Sequence, residues 1–245
     1  MRVLVISGSG LSAGSGLPTF RGAGGLYEGT SAEEFLSAAT YARDPEAVEA
    51  WLDTLRAAGS AAQPNVAHAG LAAYQARHPE TLLLTQNVDT LLERAGARDV
   101  VHLHGRLDQL RCLGHAHSVP LGPDGRAGAP ERCPRCGARL RSDVVLFGER
   151  APAYDVLWAA LRRAWPADAL VVVGTQGGVL PVDAMVQAFP GRTLLNNLHE
   201  SPWLRPERFT RVLPGRAAEV IEELVATLDE WRANAAGPVS LPPAS

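Results

Sequence analysis

The chain predicts an α/β fold, a doubly wound parallel sheet with a smaller zinc-binding and helical module formed by two insertions. Three observations carry this. Seven short runs rich in Val, Ile and Leu alternate with stretches of helical period, the pattern of strands covered on both faces by crossover helices. Two segments, 22–63 and 106–141, interrupt the alternation. All three cysteines lie in the second segment, where their spacing points to metal.

Taken in order, Val3–Ile6 reads as a first buried strand. Segment 22–63 is a glycine-bearing loop followed by helices at Ala32–Ala39 and Pro45–Ala58, with Asp44 as N-cap and Pro45 at the first helical position. A helix over Val66–Arg77 leads to a strand at Thr81–Leu84, a helix at Val88–Ala95 and a strand at Val100–Leu103. Segment 106–141 is loop-like and basic, with seven Arg against Asp108, Asp124 and Glu131. Strands then follow at Val144–Phe147, Leu170–Val173, Thr193–Leu195 and Arg211–Leu213, with helices at Tyr154–Trp165, Pro181–Phe189 and Ala217–Trp231. Residues 1–21, 64–105 and 142–231 therefore form the large domain, and 22–63 with 106–141 the small one. The tail 232–245 is rich in Ala and Pro and is expected to be disordered.

Composition narrows the chemistry. At 245 residues the chain can bury roughly 70–75% of its unfolded surface and needs no disulfides. A net charge of −3 offers no bulk grip on nucleic acid or acidic lipid. All 23 basic residues are Arg, which excludes lysine Schiff bases, a P-loop lysine and a lysine general base. No window approaches 18 apolar residues, and the N-terminus does not read as a signal peptide, so no membrane partner is expected. Three cysteines fit a reducing cytoplasm. No long heptad suggests assembly, and a monomer is favoured.

Five motifs carry chemistry. Gly8-Ser9-Gly10-Leu-Ser-Ala13 follows a strand, where glycines let backbone approach a pyrophosphate and the next helix offers N–H groups; an ordinary tight turn has the same form. Gly174-Thr175-Gln176-Gly-Gly178 follows another strand at the carboxyl end that would open on the crevice. Gln86, Asn87 and Asp89 can bind ribose hydroxyls and an amide, or cap a helix. His102 and His104 end a strand beside Gly105, on one face by strand alternation, and a histidine there suits a general base. Cys112-x-x-His115 and Cys133-x-x-Cys136, separated by 17 residues, match a closed tetrahedral zinc site, with His117 as a rival fourth ligand.

In this order the motifs resemble those of the sirtuins, NAD-dependent protein lysine deacylases. Gly8-Ser-Gly-Leu-Ser-Ala-Gly-Ser-Gly-Leu-Pro-Thr-Phe-Arg-Gly22 resembles the family's glycine loop. Thr85-Gln-Asn-Val-Asp89, Leu103-His-Gly105, the two metal knuckles and Val144-Val-Leu-Phe-Gly-Glu149 resemble further family motifs. So do Gly174-Thr-Gln-Gly-Gly-Val-Leu-Pro181 and Asn197-Leu-His-Glu-Ser-Pro202.

The resemblance implies a Rossmann-like domain, structural zinc, and a cleft for NAD and an acyl-lysine peptide. It implies that Gly8, Ser9 and Gly10 hold the pyrophosphate, and that Phe20 and Arg21 shield the nicotinamide ribose. Gln86, Asn87 and Asp89 would hold that ribose and the nicotinamide amide, Asn87 and Asp89 also serving catalysis beside His104. Gly174, Thr175, Gln176 and Asn197 would line the adenosine side. Val145, Phe147 and Gly148, with Gly178 and Val179, would pair with the peptide as an added strand. His104 would deprotonate a ribose hydroxyl, and the acyl group would leave on ADP-ribose with nicotinamide and free lysine as the other products.

Departures from the family pattern are Ser9 for Ala, Leu92 for His, Gln176 for Ser and His115 for Cys. Members that remove succinyl or malonyl groups carry a Tyr and, three residues on, an Arg. Here Leu52 and Leu55 align with that pair, and Arg56 lies one position off. A carboxylate facing two leucines loses its ion pair and its water, so neutral acyl groups are expected. The alternatives are an NAD glycohydrolase or ADP-ribosyltransferase on the same site, and an inactive NAD-binding sensor.

Overall fold

The computed structural model describes residues 1–19, 32–115, 117–122 and 125–235. In chain order the elements are β1 (Val3–Ser7), α1 (Gly10–Ala13), α2 (Ala32–Phe35), α3 (Ala38–Arg43), α4 (Pro45–Ala61), α5 (Val66–Arg77) and β2 (Leu82–Thr85). There follow α6 (Leu91–Arg94), β3 (Val101–His102), β4 (Gly105–Cys112), β5 (Ser118–Pro120), β6 (Leu140–Val144) and α7 (Tyr154–Arg162). The chain continues through β7 (Ala169–Val173), α8 (Val182–Ala188), β8 (Arg192–Asn197), β9 (Arg211–Pro214) and α9 (Ala217–Ala235). No described helix is long and apolar enough to cross a membrane.

Side-chain alternation explains why the large sheet is wound on both faces. Val3 and Val5 of β1, with Ala169, Val171 and Val173 of β7, pack toward Leu71 and Tyr74 of α5 and Ile221, Leu224 and Trp231 of α9. The intervening Leu4, Ile6, Leu170 and Val172 pack the other way, toward Leu157 of α7 and Met185 and Val186 of α8. Each fully buried Val, Leu, Ile or Met side chain among these contributes about 1.5–3 kcal/mol. The strand order is β3-β2-β1-β7-β8-β9, and every pairing is parallel. The order reverses between β1 and β7, the place where such sheets open a ligand crevice at their carboxyl ends.

A separate three-stranded antiparallel sheet, β5-β4-β6, forms where a loop was expected. Its register shifts between Arg106 and Leu110, and this bulge breaks the two-residue period that would have disclosed β4. The run Val144–Phe147 is not a parallel strand: Val144 ends β6, and the next residues run extended, with a bridge from Phe147 to Ser37. The small sheet thus reaches beyond 106–141, to Gly105 and Val144. Helix α4 is tied to it by buried Glu49, which accepts from Ser142 N–H and Oγ and from Arg126 at 2.7–2.9 Å. Apolar Val48, Leu52, Leu107, Val144 and Leu146 fill the space between.

Helix α9 runs four residues past the expected tail boundary, to Ala235, because Trp231 is buried against the sheet and Arg232 pairs with Glu80 at 2.5 Å. Residues 236–245 of the tail lie outside the described residues.

Candidate active site

A cavity of about 730 Å³ opens at the carboxyl ends of β1, β2, β7 and β8 and extends to α4 and the segment after β6. The sequence-predicted residues His104, Asn87, Asp89, Gly8, Ser9, Gly10, Gln86, Gly174, Thr175, Gln176 and Asn197 all line it. So do Val145, Phe147, Gly148, Gly178, Val179, Leu52 and Leu55. Phe20 and Arg21 lie outside the described residues.

The two glycine loops build the floor by backbone contact. Gly8 N–H donates to Val173 O at 2.9 Å and Gly10 N–H to Gly174 O at 2.8 Å. A Cβ on Gly10 would stand 2.7 Å from Gly174 Cα, and Gly174 has a φ of +61°, so neither position accepts a side chain without moving the other loop. One expectation changes here. Helix α1 is a single turn, and its N–H groups at Gly10, Leu11 and Ser12 bond Gly174 O, Gly8 O and Ser9 O, so they are not open to an anion. The loops also align polar side chains: Gln86 Nε2 donates to Thr175 Oγ1 at 3.0 Å, and Asn197 Nδ2 to Thr175 O at 2.8 Å. Asn196, which the motifs did not single out, is buried at the cavity with its Oδ1 unpartnered among the described residues.

Ser12 is the hub of the site and was also missed. Its hydroxyl donates to Asp89 Oδ2 at 2.9 Å and accepts from Asn87 Nδ2 at 3.0 Å. His68 of α5 completes the set. Its Nδ1 accepts Asn65 N–H at 3.2 Å, so Nε2 carries the proton and donates to Ser12 Oγ at 3.3 Å. Burial pushes His68 down to about 4, against the pull of the Asp89 carboxylate. The capping and ligand readings of Asp89 coexist, since its Oδ1 accepts Leu91 N–H at 3.0 Å. With α6 starting at Leu91, Asn87, Val88 and Asp89 stay outside the helix and line the cavity.

His102 and His104 do not share a face. β3 ends at His102 and the chain turns, so strand alternation no longer applies. His102 faces a second hollow and bonds Asn87 O at 3.0 Å and Glu93 at 2.7 Å. His104 lines the main cavity, with Nδ1 3.1 Å from Gln86 O and Nε2 2.9 Å from the Tyr154 hydroxyl. Burial lowers its pKa, partly opposed by the Gln86 carbonyl, which favours the neutral base form near pH 7.

The end of the cavity toward α4 is apolar. Leu52 and Leu55 of α4 line it beside Trp51 and Leu107. Arg56 is not among the lining residues. It donates to Leu107 O at 2.6 Å and Ser142 Oγ at 2.7 Å and pairs with Asp53.

The metal set differs from the expected one at its fourth member. Cys112, His117, Cys133 and Cys136 bring one ligand atom each within 4.8 Å of the others. His115 stays outside. A tight turn closed by Cys112 N–H to His117 O at 2.9 Å brings His117 opposite Cys112 and leaves exposed His115 at the tip. Three thiols and an imidazole suit tetrahedral Zn²⁺ and leave no open position, so the set fits a structural zinc.

Comparisons with known proteins agree with this geometry. The sequence model described as "Sir2 family" matches residues 8–181. An NAD-dependent protein deacylase 1 of Archaeoglobus fulgidus is 38% identical over 226 residues, 91% of each chain. A Sir2 homologue solved with NAD matches at a TM-score of 0.78 and 36% identity, over 94% of this chain and 90% of that one. A triple mutant of a Sir2 homologue solved with 2′-O-acetyl ADP ribose matches at 0.78 and 36%, over 99% and 95%.

Proposed function

The chain belongs to the Sir2 family, and on that premise we propose that it is an NAD-dependent protein lysine deacylase that acts best on neutral acyl groups such as acetyl. One observation carries the reading. Ser12 fixes Asn87 and Asp89 at the same cavity that His104 enters as a neutral imidazole, directly below the two glycine loops. NAD, consumed as a co-substrate, supplies an electrophilic ribose carbon that takes up the acyl oxygen as nicotinamide leaves.

The chain's own residues do the rest. Gly8, Ser9 and Gly10 line the place for the pyrophosphate, and Thr175, Gln176 and Asn197 the adenosine side. Asn196 Oδ1, unpartnered among the described residues, offers an acceptor to a bound nucleotide. Asn87 and Asp89 orient the nicotinamide ribose. His104 Nε2 removes the proton of a ribose hydroxyl, which then attacks the acyl carbon. The segment Val145–Phe147 with the turn at Gly148, and Gly178–Val179, hold the peptide between them as an added strand. Leu52 and Leu55 receive the acyl chain. Water then adds to the acyl carbon, the carbon–nitrogen bond to lysine breaks, and the products are nicotinamide, free lysine and O-acyl-ADP-ribose. Cys112, His117, Cys133 and Cys136 would hold zinc and brace the small sheet. Thiolate ligands and a nucleotide co-substrate suit the reducing cytoplasm.

The test is mass-spectrometric detection of O-acyl-ADP-ribose from NAD and a panel of acyl-lysine peptides. Wild type is expected to form it, and His104→Ala to lose it. Nicotinamide release that ignores the peptide would identify a glycohydrolase instead. NAD binding without turnover would identify a sensor.

A further inference from the structure

Tyr154 opens α7 and belongs to none of the motifs that carry the family resemblance. Its ring lies 5.9 Å from that of His104, tilted by 47°, and its hydroxyl is 2.9 Å from Nε2. The opposite ring nitrogen settles which group donates. His104 Nδ1 faces the carbonyl oxygen of Gln86, which only accepts, so Nδ1 carries the proton. In the neutral imidazole Nε2 is then the lone-pair nitrogen, and Tyr154 O–H donates to it. That lone pair is the one a general base uses. Both residues line the cavity.

We propose that Tyr154 is the positioning residue of His104. Gln86 O fixes the Nδ1–H tautomer, and the Tyr154 hydroxyl holds the ring with Nε2 aimed into the cavity and yields that nitrogen to the ribose hydroxyl. The proposal rests on the deacylase reading above. In the step itself the ribose O–H proton passes to Nε2, the oxygen's electron pair forms the bond to the acyl carbon, and the carbon–nitrogen π pair there moves onto the lysine nitrogen. The imidazolium keeps Nδ1–H on Gln86 O, and its new Nε2–H donates to the Tyr154 oxygen.

Other titratable groups around the ring are engaged elsewhere. Asp89 is held by Ser12 and Leu91, Glu149 by Arg141 and the Leu146 N–H. Asp155, next to Tyr154 on α7, pairs with Arg150 at 2.6 Å. His102 pairs with Glu93, and Arg106 with Glu93 and Asp108.

Tyr154→Phe removes one oxygen and keeps the ring, and three readouts on the full chain test it. Spectra of ¹⁵N-histidine protein are expected to show His104 as the Nδ1–H tautomer that Gln86 O holds in both proteins, with the Nε2 resonance displaced in the variant because it has lost its donor. Peptide deacylation is expected to fall about tenfold more than peptide-dependent exchange of labelled nicotinamide into NAD, a loss of about 1.4 kcal/mol confined to the base step. The acid limb of kcat is expected to move up by about half a unit to one unit, because the neutral imidazole has lost a donor. A variant with wild-type kcat and acid limb overturns the proposal, as does a mixed tautomer in wild type. A wild-type protein that exchanges no nicotinamide overturns the deacylase reading, and this role with it, even if the tautomer is single.

Discussion

Ser12 donates to Asp89 across 2.9 Å, joining two positions 77 residues apart in the chain. The same oxygen accepts from Asn87 and from His68, so every hydrogen-bonding site of the hydroxyl is used. This oxygen joins α1, the polar turn after β2 and α5, while backbone bonds such as Gly10 N–H to Gly174 O hold the two glycine loops to each other.

Ser12→Ala should therefore damage both stability and turnover. The change strands the Asn87 amide, the His68 N–H and one Asp89 oxygen around a side chain that is 2% exposed. A cost of about 1–3 kcal/mol is expected from the stranded groups. Urea unfolding would report it, and steady-state kinetics would show kcat falling. A variant unchanged in both would remove Ser12 from the centre of the site.

Stability should fall on mild acidification because of His68. Its folded pKa is pushed down to about 4, whereas an unfolded histidine titrates near 6.5. Between those values the unfolded chain binds more protons, so the contribution is complete above about 6.5 and is lost as pH falls toward 4. The window corresponds to about 3 kcal/mol. Denaturation midpoints taken from pH 7 to pH 4.5 should show the slope, and His68→Gln should flatten it. Equal slopes in both proteins would contradict the assignment.

Acyl selectivity should follow Leu52 and Leu55. Acetyl-lysine peptide is expected to turn over at least about tenfold faster than succinyl-lysine peptide, since hydrocarbon cannot repay the desolvation of a carboxylate. Leu55→Arg should narrow that ratio by supplying a cation to the cavity. Arg56 is bound to Leu107 O and Ser142 and should not substitute for it. Succinyl turnover above acetyl turnover in the wild type would refute the expectation.

Metal content should separate the two neighbouring histidines. His117 Nε2 lies 2.8 Å from Cys133 Sγ, while His115 is exposed and stacks on the His117 ring with centroids 6.3 Å apart. His115→Ala should retain about one zinc per chain, and His117→Ala should lose it or bind it far more weakly. Elemental analysis of the purified variants decides this. Chelation of the wild type should lower its melting temperature, because the four ligands tie the end of β4 to the Cys133–Cys136 knuckle.

Much of the fold was legible locally. Pro45 after Asp44 marked a helix start that the structure keeps, since a cap is a contact within one turn. The runs at β1, β2 and β7 stood out because strands buried on both faces are apolar almost without interruption, whereas β8 and β9 carry only short apolar pairs, Leu194–Leu195 and Val212–Leu213. Apolarity alone, however, does not distinguish a parallel strand from the end of an antiparallel one, and Val144–Phe147 was misassigned for that reason. In β4 the bulge hid the period, and at β3 two residues of strand were too few for alternation to orient His104.

The sequence by itself determined the winding of the large sheet, the glycine loops, the polar turn at 86–89 and three of the four metal ligands, because each is written in residue types at short, regular spacing. Only the tertiary structure decided that His68, Tyr154 and Asn196 belong to the site, that His117 displaces His115, and that Arg56 turns away from the cavity. Those relations depend on where crossover connections bring distant backbone together, and on which polar atoms burial then forces to find one another.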